Sequence, residues 1–271
     1  MRTLQNLALS TTVGTLLLCC AIPIPAQTVQ NQINLERRLP QHFREKPPMS
    51  FESVEGAEHS PRITITNSYQ YLLTAYIIQK ESKESAFDNG QTQIYDALTR
   101  LGGLLAPIPR GLSHKIGIAY VGASVPDAKL VAAVWEDGST FGPDELLTRI
   151  SNTRKAQADR YDLAIATLQT GLEKNWSAQE YVTAAQQLRP PLPPQSATIE
   201  EARVASESLT AAFVPSLTLR DDMQHAVQDD SSPARVAKLA QILLKQFEES
   251  RDALRKALSG TPPSADQPIK R

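Results

Sequence analysis

The sequence predicts an α+β protein, an antiparallel β-sandwich followed by an α-helical bundle region. Apolar residues recur with period two between Met49 and Gly142, then with helical spacing from Gly142 to the end of the last stripe at Ala257. An apolar leader precedes both parts, and prolines mark the borders between them.

Arg2 is the only charged side chain among the first 26 residues. An apolar run spans Leu7 to Ile24, and Pro25-Ala26-Gln27 follow. A basic start, an apolar middle and a small residue at the cut are the layout of a signal peptide, residues 1–26. Ile24 is a poor third-last residue for a cut after Ala26, so two alternatives stand beside cleavage. Lipidation of Cys19 or Cys20 would anchor the protein to a membrane, although Leu18 and Cys19 are larger than the small residue that normally precedes such a cysteine. An uncleaved leader is just long enough to span a bilayer, but Ser10, Thr11, Thr12 and Thr15 weaken it. Cleavage predicts a periplasmic or secreted protein with a cysteine-free mature chain, because Cys19 and Cys20 are the only cysteines. Its stability must then come from burial rather than disulfides.

About 245 residues remain, enough for one large domain or two small ones. The whole chain carries a formal charge of −1, and loss of Arg2 makes it one unit more negative. A near-neutral balance of both signs argues against a nucleic-acid partner, which needs a basic face.

Residues 27–48 are polar and end in Pro47-Pro48, which predicts a disordered spacer; Glu36-Arg37-Arg38 within it reads as solvated charge. Residues 49–142 predict the sandwich. Arg62 to Thr66 alternates, Asn67-Ser68 turns, and Tyr71 to Ile78 forms a second strand rich in aromatic and branched residues. Ile116, Ile118 and Tyr120 share a face of a third. Leu130 to Trp135 makes a fourth, and Asp137-Gly138 signals a two-residue hairpin. Shorter strands are expected at Phe51 to Val54 and Thr92 to Ala97. Short strands separated by turns in so small a stretch point to a sandwich.

Residues 143–258 predict helices. Pro143 suits a first helical position, and Asp144 and Glu145 favour the positive end of the helix dipole. Leu147, Ile150, Tyr161, Ala164, Leu168 and Leu172 follow helical spacing, while Arg154 and Gln157 break the middle of the stripe and predict that the helix packs best near its ends. Ser177 with Glu180, and Thr198 with Glu201, have capping-box spacing. The run Arg189 to Pro194 predicts a stiff break at 189–195, with a polyproline ligand as its functional counterpart. A further helix is expected from Ser216 to Val227, after a break at Pro215. The last helix opens at Ser232-Pro233 and carries Val236, Ala240, Leu243, Phe247, Ser250, Leu254 and Ala257 as a heptad stripe. That stripe serves an intramolecular bundle or, alternatively, a homodimer seam. Residues 259–271 predict a disordered tail.

Chemistry is hard to find. The histidines His42, His59, His114 and His225 are isolated from one another. His225 lies among Asp221, Asp222, Asp229 and Asp230, where a cation site competes with the plainer reading of an acidic, solvated helix end, which is preferred. No Gly-x-Ser-x-Gly elbow or Ser-x-x-Lys pair occurs. Ser113 and His114 are adjacent and so point to opposite faces of a strand. Gly102-Gly103, and Gly138 with Gly142, read as turns rather than a phosphate loop. Tyr69 and Tyr71 are expected on one sheet face and Tyr76 on the other, as packing residues. Asn175-Trp176-Ser177 fits a glycosylation sequon that overlaps a helix start. No catalytic, cofactor-binding or metal-binding residue is assigned.

Arg62-Ile-Thr-Ile-Thr-Asn-Ser68, Ala75-Tyr76, Pro109-Arg110-Gly111 and Val134-Trp-Glu-Asp-Gly-Ser-Thr-Phe-Gly142 together resemble a group of exported bacterial proteins. In these uncharacterised proteins a small immunoglobulin-like sandwich precedes helices. The resemblance covers roughly residues 50–145 and implies that fold without implying an activity. The expectation is a non-enzymatic binding or structural component of the cell envelope with an unidentified protein or envelope partner. The alternative is an envelope-acting hydrolase with dispersed carboxylates.

Overall fold

The fold starts from strands that bury both faces and a helix that covers one of them. The computed structural model describes residues 40–54, 62–81, 91–117, 127–190 and 199–260. In chain order these form β1 (His42–Phe43), β2 (Met49–Val54), β3 (Arg62–Asn67), β4 (Leu73–Glu81), β5 (Thr92–Asp96), β6 (Ser113–Gly117), β7 (Asp127–Trp135) and β8 (Thr140–Phe141). Helices α1 (Asp144–Lys174), α2 (Ala178–Gln187), α3 (Ile199–Gln228) and α4 (Pro233–Ser259) follow. The protein is α+β, with its strands N-terminal to its helices.

The strands form a five-stranded sheet in the order β1-β8-β7-β4-β5 and a three-stranded sheet in the order β2-β3-β6. Every pairing is antiparallel except β1 with β8, where His42 lies opposite Thr140 and Phe43 opposite Phe141. Residues expected as spacer therefore enter the fold: Pro40 opens the compact unit. The cause is backbone pairing, since Thr140 N–H donates to the Gln41 carbonyl at 2.8 Å. Polar composition does not forbid such a bond.

β3 alternates as its sequence predicts, with Ile63, Ile65 and Asn67 buried. Its isoleucines join Met49, Ile116, Tyr76, Ile78, Ala133 and Trp135 in one apolar cluster shared by both sheets. Each large side chain fully buried there contributes about 1.5–3 kcal/mol. Ala75, Ile77, Ala132 and Val134 face the other way and pack with Leu147, Ile150 and Ala211 of the helices. β4 and β7 are thus buried on both faces, which explains their near-continuous apolar runs. A register irregularity lies between Leu73 and Ala75.

Asn67 ties this frame together. Its side-chain nitrogen donates to the Tyr71 and Ile108 carbonyls, each at 2.8 Å. Its oxygen accepts from Tyr69 N–H at 3.0 Å and from Trp135 Nε1–H at 3.1 Å. Both donors and the acceptor oxygen are satisfied inside the protein. Tyr69 and Tyr71 precede β4 and contact each other, and they pack on the same cluster that contains Tyr76. The expected division of these tyrosines between two faces fails, because the first two belong to a loop rather than the strand.

The β7–β8 hairpin differs from the two-residue turn signalled by Asp137-Gly138. Trp135 N–H donates to the Ser139 carbonyl and Gly138 N–H to the Trp135 carbonyl, closing a three-residue loop with Gly138 at φ 84°. A Cβ on Gly138 would collide with the Gly260 carbonyl, so the glycine also permits close approach to the end of α4.

α1 starts after Pro143, which is extended (φ −71°, ψ 146°) and serves as the N-cap rather than the first helical residue. Arg154 and Gln157 do not interrupt its packing, for both are buried. Arg154 enters the interior because Asp96 meets it there, with Nε to Oδ2 at 2.8 Å. Their side chains are 3% and 0% exposed. α1 ends on left-handed Asn175, and α2 opens with the complete capping box of Ser177 and Glu180. Bonds from Ser177 hold the Glu180 carboxyl below its usual range.

The expected break at Pro215 is absent; Pro215 lies inside α3. Proline removes one backbone donor, yet Ala211 and Ala212 before it and Leu219 and Met223 after it are buried, so both halves are held by packing. On α4, Val236, Ala240, Leu243, Phe247 and Leu254 share a buried cluster with Tyr161, Ile165 and Leu168 of α1. The heptad stripe is closed within the chain, so a dimer seam on that face would require opening it. No helix among the described residues is long and apolar enough to cross a membrane.

The leader with Cys19 and Cys20, the Glu36-Arg37-Arg38 run, His59, Ile118 and Tyr120, Pro191 to Pro194, the cap at Thr198 and the tail from Thr261 lie outside the described residues.

Two stability changes follow. Arg154→Met strands the Asp96 carboxylate in the interior and is expected to cost about 3–5 kcal/mol in urea denaturation. Gly171→Ala drives a methyl group into the Tyr181 ring, and an expected loss of about 1–3 kcal/mol is checked in the same titration.

Candidate functional site

Buried charge in this protein converges on the contact between the sheet and α1. Besides its bond to Oδ2, Arg154 donates to Asp96 Oδ1 at 3.2 Å and to Thr74 Oγ1 at 3.0 Å. Thr74 Oγ1 in turn donates to the Val134 carbonyl. Arg149 donates to both oxygens of Glu207 and to Thr92 Oγ1. Both arginines are enclosed by partners from the sheet or from α3, an arrangement that positions helices and leaves the guanidinium groups no open approach.

The described histidines are dispersed. His42 Nδ1 lies 3.0 Å from Thr140 Oγ1. His114 and Ser113 take opposite faces of β6: Ser113 Oγ meets Thr66 Oγ1, whereas His114 Nδ1 lies 2.7 Å from Tyr76 Oη. Tyr76 stacks on Tyr95 with ring centroids 4.9 Å apart. Burial pushes the Tyr76 phenol well above its ordinary range, with the nearby Tyr95 adding to the effect. Burial alone pushes Tyr95 up to about 12 and holds the His114 imidazole below its usual value. Tyr76 Oη and His114 Nδ1 thus share one hydrogen bond, whose direction follows the tautomer of the imidazole.

Among the described histidines, His225 sits beside carboxylates in an open depression. A recess of about 430 Å³ at the α3–α4 turn is lined by Asp222 and His225 from α3, by Asp229 just past its end, and by Arg235, Lys238 and Ile242 from α4. The spacings of three and four put Asp222, His225 and Asp229 on one side, because Asp229 N–H, just past the end of α3, still donates to the His225 carbonyl. Asp221 instead pairs with Arg220 at 2.6 Å, and Asp230 occupies the left-handed turn position at φ 46°. Among the described residues no group of three or more His, Cys, Asp or Glu side chains is placed to hold a metal ion. The basic wall was missed from sequence because its residues lie beyond the helix turn. The tight turn between Asp229 and Ser232 was the available signal, since it sets the first turns of α4 beside the last turns of α3.

A second surface belongs to the connection between β5 and β6. Ile108 and Leu73 exchange backbone hydrogen bonds at 3.0 and 2.9 Å, Gly111 N–H donates to the Asn67 carbonyl at 2.7 Å, and Asn67 N–H donates to the Leu112 carbonyl. The segment is held at several points, yet Leu105 is 78% and Leu112 58% exposed. Gly102 and Gly103 turn the chain at φ 66° and 77°, as expected of turn residues. Sequence periodicity alone gave no reason to separate these leucines from core residues such as Leu104.

No family model, curated protein or solved structure matches the chain.

His114 supplies a pH test. Its folded-state pKa lies below the ordinary 6.5, so the unfolded chain binds its proton more readily. The stabilising contribution is complete above the unfolded value and is lost as pH falls through the folded value. Thermal melting between pH 7.5 and 5 is expected to fall more steeply for the native protein than for His114→Gln.

Proposed function

We propose that the chain is an exported, non-enzymatic binding or structural component of the bacterial cell envelope, periplasmic or secreted after cleavage at Ala26. Within this reading the paired sheets are an immunoglobulin-like sandwich, the helices are a bundle braced against it, and the kinship is with the exported group that residues 50–145 resemble. One observation carries the proposal: Leu105 and Leu112 stand in solvent on a connection fastened to β3 and β4. Apolar side chains on a held loop lose little conformational freedom on contact, which favours recognition. The leader layout supports the location.

The test is capture from native envelope extract by the protein and by its Leu105→Glu/Leu112→Glu variant. The native protein is expected to retain a defined partner that the variant loses, while melting stays within the small change typical of surface substitutions. Identical capture by both proteins, or none by either, would overturn the assignment of the binding surface. Mass spectrometry of the native N-terminus separates cleavage near Gln27 from lipidation at Cys19 or Cys20 and from retention of the leader.

A hydrolase is the second reading, favoured by the grouping of His225 with Asp222 and Asp229 around a recess. It requires turnover of isolated envelope material that His225→Ala abolishes.

A further inference from the structure

The recess at the α3–α4 turn has walls of opposite sign. Asp222 stands on α3 and Asp229 just past its end, and Arg235 and Lys238 stand on α4. Between them lies Ile242, 47% exposed, together with Leu239 and Ala226. On α4 the spacings of three, four and seven from Arg235 place Lys238, Leu239 and Ile242 along one strip. Leu239 also packs against the buried cluster of Val236, Ala240, Leu243 and Phe247, whereas Arg235, Lys238 and Ile242 lie outside it.

A surface with one acidic and one basic wall is complementary to itself under a two-fold rotation, because each wall then meets the opposite wall of the other copy. We propose that this recess is the interface of a homodimer in which the acidic α3 wall of each copy faces the basic α4 wall of its partner, closing over Ile242. The occupant is a second copy of this chain. A general acidic or basic partner would satisfy one wall and be repelled by the other, whereas a second copy satisfies both. The Asp229–Arg235 pair within one copy, at 3.7 Å and well exposed, is loose enough to exchange across the axis.

The interface is small and rich in charge, which predicts a salt-sensitive dimer of modest affinity. It goes beyond the binding surface at Leu105 and Leu112, and neither depends on the other.

Sedimentation of the purified protein with its native N-terminus tests it. At low ionic strength the mass is expected to rise from monomer to dimer with concentration, and to return to monomer near 0.5 M salt, where the screening length is a few Å. Asp222→Lys/Asp229→Lys makes both walls basic, and Arg235→Glu/Lys238→Glu makes both acidic. Each variant alone is expected to remain monomeric, and an equimolar mixture is expected to recover the dimer. The recovery also shows that both variants are folded. A native protein that stays monomeric at the highest soluble concentration overturns the proposal. So does a dimer that persists in either variant alone, or a mixture that does not associate.

Discussion

The arrangement of this protein depends on Arg154 meeting Asp96 inside it. Helices pack on sheets through apolar contacts that are strong but weakly directional, and Leu147 and Ile150 against Ala75, Ile77 and Ala132 would tolerate sliding. The guanidinium does not tolerate it, since its bonds to both Asp96 oxygens and to Thr74 have defined distances and directions. Desolvating two charges costs several kcal/mol each, so such a pair adds little net stability over an apolar substitute. Its consequence is positional: it sets which turn of α1 lies over the ends of β4 and β5. Arg149 with Glu207 repeats the device five residues earlier on α1 and joins α3 to the same register.

Asn67 plays the corresponding part between the sheets. One amide group links the end of β3 to the Trp135 indole on β7 and to the carbonyls of Tyr71 and Ile108. Apolar contact brings the sheets together, and these three bonds select one relative placement. The connection carrying Leu105 and Leu112 inherits its rigidity from the same residue, through the Asn67 backbone bonds to Gly111 and Leu112. A connection held in this way is positioned by the core rather than by its own length.

Much of this was legible in the sequence where periodicity and local chemistry agree. The alternation from Arg62 to Thr66 and the Ser177–Glu180 box read directly, because the relevant partners are neighbours in the chain. Arg154 and Gln157 read as interruptions, since nothing within a helical window reveals that Asp96 waits in the interior 58 residues away. Pro215 read as a break because the packing that holds both halves of α3 is tertiary. β1 was hidden for a similar reason: two residues supply no period, and its pairing partner lies almost a hundred residues downstream. The acidic side of the recess was visible as a cluster around His225. Its basic side required knowing how α3 and α4 lie against each other.

α4 relates the two candidate surfaces. The recess occupies its early turns, from Arg235 to Ile242, whereas Ala253, Lys256 and Ala257 line a small pocket with Leu98 and Pro107 of the Leu105–Leu112 connection. Eleven residues separate Ile242 from Ala253, about 17 Å along a helix rising 1.5 Å per residue. Lys256 also faces Glu136 at 3.9 Å across that pocket. Association through the early turns therefore leaves the connection beside the late turns uncovered on each copy. Two such connections on one dimer would act together on a repeated or surface-bound partner, where the second contact forms at high effective concentration. Under that condition a weak contact through two leucines would suffice, and a dimer through the charged recess would supply it without occupying the surface proposed to make the contact.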